Sequence, residues 1–302
     1  MVPAPLAALA ALVPTTLADA FFQLPRVPLG EPIEAVIRWM RSELRPAFEA
    51  LADFFTWLVG VLESALGWPE PLIFALVVAA IAWMVRSWQF AIFTFLAFVL
   101  IDSMQLWTPM IDTLALVLVA TLTAGVISVP IGILASRRRR VSTVLRPILD
   151  LMQTLPVFVY LIPAVFLFRL GTMAGLVATI VFATPPGVRL TELGIRQVDP
   201  EMVEAADAFG ASKRQKLLKV QIPLALPSIM QGINQVIMLA LSMVVVAALI
   251  GAGGLGDDVL RSVTRVNISL GFEAGLAVVI LAIVLDRLTS AVGERAQRAA
   301  AD

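Results

Sequence analysis

The chain has 302 residues, 60% of them hydrophobic and only 15% charged, with a mean hydropathy of +0.93 and no net charge at neutral pH. A neutral balance gives no electrostatic footprint for nucleic acid. The absence of Cys and His excludes thiol chemistry, disulfides, the commonest zinc and iron sites and histidine acid–base work.

Soluble domains are about half apolar and a quarter charged. Uncharged runs at Thr113–Ser136, Leu151–Phe168, Leu170–Val188 and Val220–Gly256 each approach or exceed the ~20 residues a helix needs to cross a bilayer. The runs are continuous rather than alternating, which argues against a β-barrel. The composition therefore predicts an all-α, polytopic membrane protein.

Residues 1–30 carry five prolines and read as irregular. Met1–Ala20 is apolar but lacks a basic leading segment, which argues against a cleaved signal peptide. From Glu31 to about Leu66, Ile33, Val36, Ile37 and Met40 recur at helical spacing among Glu34, Arg38, Arg41 and Glu43. This predicts an amphipathic helix, lying in the membrane interface or packed on the membrane domain. Residues 1–70 are read as an extra-membrane region, 71–293 as the membrane domain and 294–302 as a cytoplasmic tail.

Pro71–Val85 and Ser87–Ile101, parted by Arg86, predict a tight helical hairpin. Further spans are expected at about 111–135, 148–168, 172–190, 223–250 and 271–290, about seven in all. Arg86, the run Arg137–Arg140 with Arg146, the basic residues of the 191–222 loop, and Arg295 with Arg298 then fall on one side. Positive charge marks the cytoplasm, so the N-terminus is expected outside and the C-terminus inside. Arg26, Arg38, Arg41 and Arg45 conflict with that assignment. The Arg137–Arg140 run serves topology, with an anionic-lipid contact as the alternative.

The 191–222 loop has a legible local grammar. Asp199 suits an N-cap, Pro200 the first helical position, and Glu201 and Glu204 the positive end of the dipole. Met202, Ala205, Ala206 and Phe209 share a face. Gly210 suits the stop, and Ser212 with Gln215 forms a capping box before Lys213, Arg214, Lys216 and Lys219. A short helix with an Ala/Phe face held beneath the membrane fits another protein's groove. It equally fits packing on its own spans.

Other motifs carry less. GAGGLG (251–256) satisfies a dinucleotide pattern but follows a membrane span instead of a strand. It reads as a turn needing close backbone approach. Pro156 and Pro185-Pro186 break or kink spans. Gln153, Thr154, Asn234 and Gln235 are polar in apolar surroundings. With Pro156 and Tyr160 they line a translocation path or bond between helices. No catalytic constellation and no metal-ligand set is present.

Glu204-Ala205-Ala206, then Gly210, then Val220-x-Ile222-Pro223, resembles the EAA signature of ABC-importer permeases, with Val and Ile standing where that pattern has Ile and Leu. LDLMQTLPVFVYLIP (149–163), FATPPGVRLTELGIRQV (182–198), LALSMVVVAALIGAGGLG (239–256) and ILAIVLDRLTSAVG (280–293) resemble its glycine betaine/proline/choline branch. The resemblance covers about 105–293. It implies the type I importer fold, a bacterial inner-membrane location and uptake of a compatible solute such as glycine betaine, proline betaine, choline or proline.

The resemblance further implies partners. These are a second permease copy, two cytoplasmic ATPases that bind ATP and Mg in place of this chain, and a separate external binding protein. Glu204, Ala205, Ala206, Phe209, Gly210 and Pro223 would form the ATPase-coupling segment, with the coupling helix at 199–210. The rival readings are a same-fold permease for methionine or another amino acid and, from a different class, an ion-coupled transporter. The second would need ionisable groups within the membrane.

Overall fold

The structure, a computed structural model, describes residue 28 and residues 30–301. The expectations for residues 1–27 lie outside them, as do the side chains of Arg295 and Arg298. The described residues form helices α1 (Gly30–Glu43), α2 (Arg45–Gly67), α3 (Pro71–Val85), α4 (Trp88–Ser103), α5 (Trp107–Arg137), α6 (Arg139–Thr154), α7 (Leu161–Phe168), α8 (Thr172–Arg196), α9 (Pro200–Ala208), α10 (Lys213–Lys216), α11 (Ile222–Ala247), α12 (Leu255–Thr264) and α13 (Ile268–Ala301). The chain divides into two units at Glu43–Leu44. Unit 1 contributes α1, an amphipathic helix with Ile33, Val36 and Trp39 exposed and no buried residue. The single helical stretch predicted from Glu31 to Leu66 breaks at Leu44, because Pro46 starts a new helix.

In unit 2, α8 is the central helix. It packs along α5 and α11, and α13 packs on the outer side of α11. Small residues make the close approaches. A Cβ on Gly132 of α5 would stand 2.6 Å from Thr191, and one on Gly187 of α8 would stand 2.4 Å from Ser128. Membrane helices associate by such close packing, since lipid offers no hydrophobic contrast.

Among the described residues five helices are long and apolar enough to cross a membrane: α2, α5, α8, α13 and the continuous helix Lys213–Ile250. The expected spans at 111–135, 172–190, 223–250 and 271–290 fall within four of them. The stretch 71–101 is two helices, and their open end is closed by Phe74 against Phe98 and Trp107. At 1.5 Å per residue α3 and α4 are about 22–24 Å long, short of a ~30 Å core.

The span expected at 148–168 is broken at Pro156, its two helices passing the span test only together. Its helix starts earlier, at Arg139, and the chain turns by 111° between Arg139–Thr154 and Val157–Phe168. Leu155 is extended, with ψ 134°, as a residue before proline prefers. Pro156 cannot donate the next helical hydrogen bond. Tyr160 braces the corner: its hydroxyl donates to the Met152 carbonyl, and its ring packs edge-on against Phe182.

The two ends of the bundle are marked by hydrogen bonds. At the far end the Gly171 N–H donates to Ile250 O at 2.8 Å, and the Leu255 N–H to Thr113 Oγ1 at 2.8 Å. The opposite end carries the α8–α11 loop. Helix α2 passes the length test for a span but has both ends at the far end. Phe48 packs on Phe168, and Gly67 lies against Ile111. Those two points on α2 are about 28 Å apart at helical rise. The helix therefore lies across the far end of the bundle, with Phe55 and Val59 buried in its core.

The GAGGLG stretch is a turn between helices. Gly251, Gly253 and Gly254 have φ of 80°, 85° and 71°. A Cβ at Gly254 would stand 2.4 Å from Thr113 Oγ1. Left-handed backbone and close approach both call for glycine there.

Candidate functional site

The 199–223 segment is built by local signals. The Asp199 carboxylate accepts from the Glu201 N–H at 2.9 Å and caps α9, whose first residue is Pro200. Gly210 ends the helix with φ 75°, its N–H donating to Asp207 O at 2.9 Å. The Ala211 N–H reaches Ala206 O at 3.0 Å. Ser212 and Gln215 then form the expected capping box. Lys216 Nζ contacts both carboxylate oxygens of Asp207, at 2.8 and 2.7 Å. That ion pair folds α9 back onto the helix that follows.

The helix beginning at Lys213 runs unbroken through Pro223 into α11. A proline ring inside an α-helix meets the carbonyl four residues back. Here the turn Leu217–Gln221 widens to a π-helix, and the Ile222 N–H donates to Leu217 O, five residues back. The wide turn accommodates the ring. The helix therefore starts ten residues before the predicted span at 223. Leu217 is buried with Ile195, Ala225 and Ile229, so the segment is rooted in the bundle.

Helix α9 itself has no buried residue and touches mainly the 213–221 stretch. Phe209 is 92% exposed and Met202 48%. Glu204 and Ala205 are also exposed, with Ala206 half-buried. Packing of the Ala/Phe face on its own spans, the alternative reading, is not what the structure has. The face Met202–Ala205–Phe209 stands outward.

The six translocation candidates sit in differing surroundings. Gln153 and Thr154 are exposed at the corner, where Thr154 bonds back to Asp150 and Leu151 carbonyls. Pro156 makes the turn and Tyr160 is buried behind it. Asn234 is spent between helices: its amide donates to Asp286, and its carbonyl accepts from Thr289 at 2.9 Å. Gln235 is exposed on α11.

Sequence reasoning missed Glu192, which is 7% exposed. Its Oε1 accepts from Ser142 Oγ at 2.7 Å and from Arg196 Nε at 2.9 Å. Arg196 also donates to Ala135 O at 3.0 Å. One carboxylate thus ties α5, α6 and α8 together beside the 199–223 segment. Arg189 pairs with Asp150 nearby. Glu192, Arg196, Arg189 and Asp150, with Arg146, Leu149 and Leu193, line a cavity of about 270 Å³. The signal for Glu192 was one carboxylate in an apolar span, four residues before an arginine.

At the far end Asp258 on α12 is buried. One oxygen pairs with Arg261 at 3.1 Å and the other has no partner among the described residues. Burial pushes its carboxyl up; Arg261 pulls it down and Asp257 pushes it up further. The folded state therefore holds this proton more tightly than the unfolded state does. Stability gains from it as pH falls toward the ordinary value of 3.8 and loses as pH rises through the raised one. Asp258→Asn is expected to remove that pH-dependent increment, read as the difference in melting temperature between wild type and variant across acidic to neutral pH. Parallel curves would refute the assignment.

The model of the binding-protein-dependent transport system inner membrane component family matches residues 128–298. The glycine betaine transport system permease protein OpuAB of Bacillus subtilis is 46% identical over 88% of this chain and 95% of its own length. The glycine betaine/proline betaine transport system permease protein ProW of Escherichia coli is 46% identical over 88% of this chain and 75% of its own. Among solved structures, the MetNI methionine ABC transporter in an inward-facing conformation aligns over 62% of this chain and 92% of that one. The TM-score is 0.51 and the identity 26%.

Proposed function

This chain belongs to the binding-protein-dependent transport inner-membrane family, and from that premise we propose that it is the permease of an ATP-driven importer for glycine betaine and related betaines. The multi-pass bundle sits in the inner membrane. The observation that carries the coupling reading is the outward-facing α9. It is an amphipathic helix with an exposed phenyl ring at its end, rooted in the core through Leu217 of the stretch it lies against but with no buried residue of its own. Such a helix is complete only in a partner's groove, and the partner is the cytoplasmic ATPase.

The remaining assignments follow from that reading. ATP and Mg bind the ATPase, and this chain supplies no catalytic group. Two ATPases serve two permease copies, and an external binding protein delivers solute at the far end. The N-terminus lies outside and the C-terminus in the cytoplasm, because the end bearing Arg137–Arg140 and the Lys213–Lys219 cluster is the more basic. Relatives named for glycine betaine at 46% identity favour betaines over methionine, whose transporter matches at 26%.

Uptake of labelled glycine betaine into liposomes holding the permease and its ATPase tests this. Uptake is expected only with ATP on the ATPase side and binding protein on the other. ATP-independent uptake would overturn the importer reading. Hydrolysis stimulated by a different solute would keep the architecture and discard betaine.

A further inference from the structure

We infer that Glu192 is a positioning residue that transmits movement of the 199–223 segment to α6. The inference rests on the reading of that segment as ATPase-facing. Helix α6 is an arm. Its polar, amphipathic turns end at the 111° corner of Leu155–Pro156, where the Tyr160–Met152 bond, rather than a helical ladder, joins it to the 157–168 stretch. Two rungs hold it to α8. Ser142, itself buried, donates to Glu192, and Arg189 pairs with Asp150.

The first rung is the one linked to the segment. Glu192 grips Arg196, the last residue of α8, and Arg196 grips the last turn of α5 through Ala135 O. Asp199, the cap of α9, is three residues beyond Arg196. Val198 between them packs with Leu217 in the cluster that roots the segment. A pull on α9 therefore moves Arg196 and with it the carboxylate that holds α6. The second rung is looser: the side chains of Arg189 and Asp150 are 40% and 64% exposed, against 10% for the side chain of Glu192. A buried, charge-assisted bond is the stronger constraint.

Glu192→Gln keeps the shape and an acceptor for Ser142 but loses the charge that holds Arg196. Hydrogen bonds to charged groups are the strong ones, so the solute moved per ATP is expected to fall about tenfold or more. Hydrolysis itself continues. Ser142→Ala keeps the Glu192–Arg196 pair and is expected to give a smaller fall in the same ratio.

Movement is tested separately. The chain has no cysteine, so Asp150→Cys/Arg189→Cys introduces the only thiols. A short reducible bifunctional thiol reagent then pins α6 to α8. Added to Glu192→Gln, the cross-link replaces the lost tie between α6 and α8, so the solute moved per ATP is expected to rise on cross-linking and fall again on reduction, each sample serving as its own reference. No rise in the solute-to-ATP ratio on cross-linking, or an unchanged ratio in Glu192→Gln alone, overturns the inference. Wild-type protein that takes up no solute with ATP points instead to failure of the importer reading.

Discussion

Gly210→Pro is expected to leave the permease folded in the membrane while abolishing most ATP-coupled uptake. Gly210 sits at φ 75° and its N–H closes the end of α9 on Asp207 O. Proline holds φ near −65° and has no N–H, a conflict costing about 3 kcal/mol or more in helical contexts. Nothing lies within 4 Å of where a Cβ would stand, so the damage is to the turn and not to packing. The turn aims α9 back across the Lys216–Asp207 pair. Rebuilding it changes the direction of α9 without touching the bundle. Gly210→Ala meets only the left-handed penalty, about 1–2 kcal/mol, and is expected to be intermediate. Uptake per ATP hydrolysed in liposomes, compared at equal membrane abundance, reads both. Normal uptake by the proline variant at full expression would end the coupling assignment.

The turn at Gly210 was legible in the sequence for the reason it is sensitive. Caps, stops and the Ser212–Gln215 box are decided within four residues, so the pattern predicts them and the structure has them. Continuous spans are legible too, because hydrocarbon imposes length and composition. Two kinds of feature were not. The first is the fate of a proline. Pro156 makes a 111° corner, whereas Pro223 is absorbed by a π turn. The difference lies in what surrounds each ring: Tyr160 braces the corner by bonding back to Met152, while Leu217 is held in the core on the near side of Pro223. The second is pairing across the chain. Ser142 with Glu192, and Asn234 with Asp286 and Thr289, are separated by 50 to 55 positions. No local pattern brings them together, and Asn234 in isolation looks the same whether it faces a path or a neighbour.

Helix α2 shows the limit of composition in the other direction. Its length and hydropathy pass the test for a span, yet Phe48 and Gly67 meet the bundle at the same end. Only the position of its two ends separates a crossing helix from one lying in the interface.

The exposed phenyl of Phe209 makes the sharpest test of what α9 is for. Phe209→Ala removes a side chain that is 92% exposed, so the free permease is expected to melt as wild type does. Burying a phenyl is worth roughly 1.5–3 kcal/mol, and central aromatic anchors of interfaces cost about 2 kcal/mol or more on truncation. If the ring seats in the ATPase, affinity is expected to fall about 30-fold, since each 1.4 kcal/mol is tenfold. Met202→Ala, from a residue on the same face that is already half covered, is expected to cost less. Titration of the ATPase against permease held in nanodiscs measures both, and thermal unfolding of the permease alone supplies the control. An unchanged affinity would remove Phe209 as the anchor. A destabilised free permease would return the ring to the permease's own packing, which its exposure argues against.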